Sequence, residues 1–147
     1  MKTILASVDF STASKQVVAE ASKLAQAVKA RLVLLHVVQP PVVTDNDFRP
    51  QLGAEYVAAA AATATKHLTA LQKPILAKGV AVETKHLVGH PGQCIVEHAR
   101  KLRADYIVLG SHGHGAFYDL IVGSTTSRVL RKARCTVVVV PQLKPRK

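Results

Sequence analysis

Short apolar runs alternate along the whole chain with segments whose apolar residues recur every three or four positions. The first kind predicts buried strands, the second amphipathic helices. Residues 3–8 (TILASV) read as a strand closed by Asp9-Phe10-Ser11, and Ser11 as the N-cap of a helix carrying Val17, Ala21, Leu24 and Val28 on one face. Residues 31–38 (RLVLLHVV) form an unbroken apolar run of strand length, ended by Pro40-Pro41. Such runs suit parallel strands covered on both faces. Residues 39–52 lack periodicity and read as a loop; Val57, Ala61, Ala64, Leu68 and Leu71 then mark a second helix, which Pro74 should end or kink. Residues 80–87 alternate like an edge strand. After the Gly89-His90-Pro91-Gly92 turn, a third helix presents Ile95, Ala99 and Leu102. Residues 105–109 (DYIVL) are a fourth strand, residues 124–132 a short helix, and residues 136–140 (TVVVV) a fifth strand stopped by Pro141. This order predicts an α/β domain: a five-stranded, mainly parallel sheet with helices on both faces.

At 147 residues the chain suits one domain, expected over 1–143 with a basic disordered tail over 144–147. A domain of that size buries about 70% of its unfolded surface, so neither disulfides nor metal is needed to hold a core. The two cysteines, Cys94 and Cys135, sit in separate apolar runs and read as buried reduced thiols. No apolar run approaches the roughly 20 residues that span a bilayer, and the N-terminal run is too short for a secretory signal. The expectation is a cytoplasmic protein.

Charge sharpens the picture. The net charge is +11, and it is uneven: residues 1–74 carry eight Lys and Arg against five Asp and Glu, residues 75–147 twelve against four. A basic half attracts phosphate, whether on a nucleotide, a nucleic acid or a membrane surface.

Candidate chemistry collects at strand ends, where open α/β sheets bind ligands. Asp9 ends the first strand, His36-Val37-Val38 the second, and Gly110-Ser111-His112-Gly113-His114-Gly115 follows the fourth. Gly110 and Gly113 leave the backbone bare, so its N–H groups can approach phosphate oxygens. Gly123-Ser124 stands at a helix N-terminus, where free N–H groups favour an anion, and Ser124, Thr125 and Thr126 add hydroxyls or cap the helix. Tight-turn geometry alone would also explain single glycines; the paired arrangement favours phosphate. No G-x-x-x-x-G-K-[ST] is present, and Tyr118 stands where a dinucleotide fingerprint needs its third glycine.

Gly110-x-x-Gly113, nine residues, then Gly123-Ser124 resembles the G-x2-G-x9-G-[ST] pattern of the ATP-binding branch of the universal stress protein family. The likeness extends to Asp9-Phe10-Ser11, Leu35-His36-Val37, Gly89-His90-Pro91, residues 105–113 and the final valine strand. The resemblance implies a Rossmann-like sandwich of the adenine nucleotide alpha-hydrolase type and an ATP-dependent regulatory module. It implies that Asp9 and the Val37 backbone meet adenine, and that Gly110 and Gly113 follow the ribose and phosphates. Gly123, Ser124 and Thr125 would then hold the phosphates, with magnesium. It also implies a homodimer through the last strand, Val137 to Val140. The departure from the pattern is the proline-bearing stretch around Pro74.

Other readings stay beside this one. Asp9 next to Ser11 is also placed to cap the first helix. His112 and His114, with Asp119, could form part of a zinc site, which needs three or four ligands. His36 reads as a hydrogen-bonded core histidine. No G-x-S-x-G elbow supports nucleophilic catalysis. No arginine or glutamine is evidently arranged for fast phosphoryl transfer, although Arg128 and Lys132 follow the phosphate helix. Any ATP hydrolysis is therefore expected to be slow. A basic helix face of Arg128, Arg131 and Lys132, followed by Arg134 and the tail, suggests nucleic acid. Yet none of the six aromatics interleaves with it, as stacking on single strands requires. A nucleotide-independent dimeric interaction module is the third class.

Overall fold

The protein is described here by a computed structural model covering residues 1–42, 50–112 and 122–142. Five strands, β1 (Thr3–Ser7), β2 (Arg31–Val38), β3 (Val82–Val88), β4 (Tyr106–Gly110) and β5 (Thr136–Val140), alternate with four helices. These are α1 (Ser14–Val28), α2 (Pro50–Ala77), α3 (Pro91–Leu102) and α4 (Ser124–Lys132). The strands pair in parallel in the order β3-β2-β1-β4-β5. The expected α/β sandwich is what forms.

Alternation along each strand sorts side chains to the two faces. Ile4, Ala6, Leu32, Leu34 and Val108 meet α1 and α2 in one core layer. Leu5, Val33, Leu35, Ile107 and Leu109 meet α3 and α4 in the other. The central β1 is buried from Thr3 to Ala6, which explains why it shows no polar alternation. The edge β3 is buried only at Val82, and its polar alternation matches that position.

Four local expectations need correction. Ser11 does not cap α1: that helix starts at Ser14 behind Ala13, with no side-chain cap. Asp9 supplies the reason, because its Oδ1 accepts both the Ser11 N–H at 2.9 Å and the Ser14 O–H at 3.0 Å, drawing the chain into a turn first. Pro74 does not end α2, which runs through it to Ala77. Ile75, immediately after the proline, is 2% exposed, as is Leu68. Burying such a side chain fully contributes about 1.5–3 kcal/mol, enough to offset much of a helical proline's cost. The helix also begins at Pro50, inside the stretch read as a loop. Both cysteines are free thiols, half-buried rather than fully buried.

Candidate functional site: a cleft at the switch point of the sheet

Chain order reverses between β1 and β4, and the crossovers from those strands leave on opposite faces. A crevice results beyond their carboxyl ends. It is a cleft of about 580 Å³, within the range of small-molecule sites.

Each wall has a distinct origin. Asp9, Ser11 and Ser14 line the side that follows β1, and His36, Val37 and Val38 the end of β2. Gly110, His112, Gly123, Ser124, Thr125 and Thr126 line the opposite side. Asp9, Val37, Gly110, Gly123, Ser124 and Thr125, separated by up to 116 positions in sequence, therefore share one cavity. Gly113, His114 and Asp119 lie outside the described residues. Neither Arg128 nor Lys132 lines the cleft. The stem of Arg128 instead lies over Gly92: a Cβ added there would stand 2.8 Å from the arginine Cδ. Among the described residues no His, Cys, Asp and Glu cluster suits a metal ion.

Ser111 ties the glycine side together. Its N–H donates to Val140 O at 2.9 Å, its carbonyl accepts the Gly123 N–H at 2.7 Å, and its Oγ accepts the Gln142 N–H at 3.0 Å. The His112 Nδ1 stands 3.0 Å from the same Oγ. Thr126 Oγ1 donates to the Gly110 carbonyl at 2.7 Å, so the end of β4 is bonded directly to the first turn of α4. These bonds aim the start of α4 into the cleft. Gly123 is its N-cap and, being glycine, offers no side chain to the first free N–H groups. The helix end therefore presents unshielded donors and a partial positive charge.

The β2 side is aromatic. Phe10 stacks on His36, ring centroids 4.2 Å apart, and meets His67 of α2 edge-on at 4.8 Å. Phe10 holds φ at 62°, a backbone region costly for a bulky residue. His36 Nδ1 lies 2.8 Å from the Val8 carbonyl, which can only accept, so that nitrogen carries the proton. Burial is the chief influence on the ring and lowers its pKa below 6.5; His86 and His67 act likewise, while the Val8 bond and Asp9 oppose. The expected hydrogen-bonded histidine is present, but it also faces the cleft.

Sequence reasoning missed Ser14, Tyr56, Ala60 and Pro91 as lining residues. Ser14 carried one signal, a small polar residue that shares the buried face of α1 with Val17, Val18, Ala21 and Ala25, as Ser22 also does. Tyr56 and Ala60 carried none, because α2 reaches the cleft only through tertiary packing.

The sequence pattern of the universal stress protein family matches residues 1–141. The chain belongs to that family. Universal stress protein A homolog 1 of Coxiella burnetii is 33% identical over 141 residues, covering 95% of each chain. Among solved structures, universal stress protein UspA from Lactobacillus plantarum is similar with a TM-score of 0.86 and 31% identity, over 95% of this chain and 97% of that one. A universal stress protein solved in complex with cAMP shares the fold at a TM-score of 0.72 and 23% identity, over 97% of this chain and 98% of that one.

Proposed function

We propose that the cleft binds an adenine nucleotide, ATP with magnesium, and that the protein acts as a nucleotide-dependent regulatory module rather than a fast enzyme. The observation that carries this reading is the glycine-capped start of α4, opening its free N–H groups into a cleft that the rings of His36 and Tyr56 line on another side. Phosphates suit the first and a base the second. The related protein solved with cAMP supports the choice of an adenine nucleotide.

In this reading Asp9 and the Val37 backbone contact the adenine nucleoside. Gly110, and Gly113 in the loop beyond it, follow the ribose and phosphates; Gly123, Ser124 and Thr125 receive the phosphates. Magnesium takes oxygen donors. Asp9 is the only carboxylate among the described lining residues, and its Oδ1 already accepts two hydrogen bonds. The hydroxyls of Ser124 and Thr125 stand at the start of α4, where the phosphates would lie, so the ion would enter on the phosphates and meet those two residues. The long side chains that follow the phosphate helix stay out of the cleft, which supports at most slow hydrolysis. A second copy is proposed to pair along Val137 to Val140.

A thermal shift with ATP, AMP and GTP, each with magnesium, tests this reading. Ligand at a hundred times its dissociation constant adds about 2.7 kcal/mol, a rise of several degrees for a domain this size. The discriminating variant is Gly123→Ala. Its Cβ would meet only Ser111 O at 3.5 Å and His112 Cα at 3.7 Å, ordinary contacts, so the fold should survive with a melting point within a few degrees. The expected result is loss of most of the ATP-induced shift in this variant. An undiminished shift in Gly123→Ala, or none in the parent protein freed of co-purified ligand, would overturn the proposal.

A further inference from the structure

α3 and α4 pack side by side on one face of the sheet. Their N-termini reach the nucleotide cleft through Pro91 and Ser124; their C-termini lie at the opposite pole. There, with the starts of β4 and β5, they enclose a second hollow of about 200 Å³. Its floor is apolar: Ala99 is 5%, Ala104 9% and Ile107 1% exposed. Its rim carries Arg100, Arg103, Lys132 and Arg134, all solvent-exposed.

These cations are not used up inside the fold. The ion pairs among the described residues lie elsewhere, Lys23 with Glu20 and Arg31 with Glu83. The nearby Asp105 accepts the Thr3 N–H through Oδ2 at 2.8 Å, and its charge is felt at Cys135 in the hollow's wall. A helix C-terminus, with about half a negative charge, accounts for a cation such as Arg100 or Lys132 in each last turn. Four cations around one apolar floor exceed what two such ends require.

We propose that this hollow is a second binding site, for a small organic anion. A short apolar body would rest on Ala99, Ala104 and Ile107 while its carboxylate or phosphate is held by the guanidinium and ammonium groups above. The volume is below the roughly 300–1,000 Å³ of drug-sized sites, so the body is a phenyl ring or short acyl chain, not a nucleotide. The site lies away from the nucleotide cleft and stands whether or not that cleft binds ATP.

The probe is phenyl phosphate, titrated into the isotope-labelled full chain and followed by amide chemical shifts. Saturable shifts are expected around Arg100, Arg103, Ala104 and Lys132 to Cys135. Inorganic phosphate and benzyl alcohol, each having half of the recognised chemistry, should bind about tenfold more weakly or worse. Arg134→Glu should weaken phenyl phosphate about tenfold. Arg103→Gly separates binding from folding, because Arg103 holds φ at 51°, where glycine is preferred. That variant should bind more weakly yet melt no lower than the parent. Shifts confined to Gly110, Gly123 and Ser124 would assign the probe to the other cleft and overturn the proposal. So would shifts spread evenly over Lys101, Arg128 and Arg131. Duplex DNA producing the same shifts at lower concentration would make the surface a polyanion contact and overturn it equally.

Discussion

Among the apolar residues of β2, His36 combines three constraints: a hydrogen bond to Val8, a stack against Phe10 and a face on the cleft. Burial is the main cause of its lowered pKa, so the ring is neutral in the folded protein at pH 7. An unfolded histidine takes up its proton near pH 6.5. Between that pH and the lower folded value the unfolded state binds more protons, and stability falls as the solution is acidified. One linked proton sets a ceiling of about 1.4 kcal/mol per pH unit, reduced here because the ring is only partly buried. His98, also lowered chiefly by burial and further by Lys85 and Lys101, adds a loss of the same sign. His36→Phe keeps an aromatic against Phe10 but removes the bond to Val8. At pH 7.5 it should be less stable by about 1 kcal/mol. Its denaturation midpoint should then decline less than the parent's between pH 7 and 5.5. Parallel pH profiles would remove His36 from this account.

Two glycines show how an element's backbone decides a mutation's sign. Gly53 lies within α2, an added Cβ there meets nothing within 4 Å, and its φ is not positive. Gly53→Ala should stabilise by about 0.5–1 kcal/mol through helix propensity and a less flexible unfolded chain. Gly79, between α2 and β3, has equally open space but a φ of +78°. Gly79→Ala should cost roughly 1–2 kcal/mol for the backbone alone. Urea unfolding of both variants checks this, and equal signs would contradict it. Element scale is also where the sequence was most readable. β2 and β5 appear at the expected residues because strands covered on both faces are continuous apolar runs, and α4 because glycine and serine announce its start. The boundary at Ser14 and the passage of α2 through Pro74 were not readable. The first depends on which neighbour the Asp9 carboxylate engages, a choice among adjacent residues, and the second on the core around Ile75, distant from the local signal. The cleft divides the same way. Its backbone-driven members, Gly110 and Gly123, were visible as glycines, whereas Tyr56 of α2 enters by packing alone.

For the molecule as a whole, the two sheet edges differ in a way that bears on assembly. The β3 edge carries Glu83, Lys85 and His86 exposed, and charge of this kind discourages pairing with another strand. The β5 edge carries Thr136 followed by Val137, Val138 and Val139, all three valines left partly exposed by the single chain. An open edge of β-branched residues without a charge is a template for another strand, and a second copy meets it by twofold symmetry. The proposed homodimer through Val137 to Val140 would cover it. Thr136 is already solvent-exposed, so Thr136→Lys adds a charge to the edge without disturbing either core layer. Sedimentation equilibrium should give a dimer for the parent and a dissociation constant raised about tenfold or more for this variant, with circular dichroism unchanged and, at concentrations where both are monomeric, the same melting point. A parent that stays monomeric at high concentration leaves the β5 edge open and rules out the pairing. A dimer indifferent to Thr136→Lys moves the interface to another surface. Equal ATP-induced stabilisation in the two proteins would then show that the cleft works within one chain.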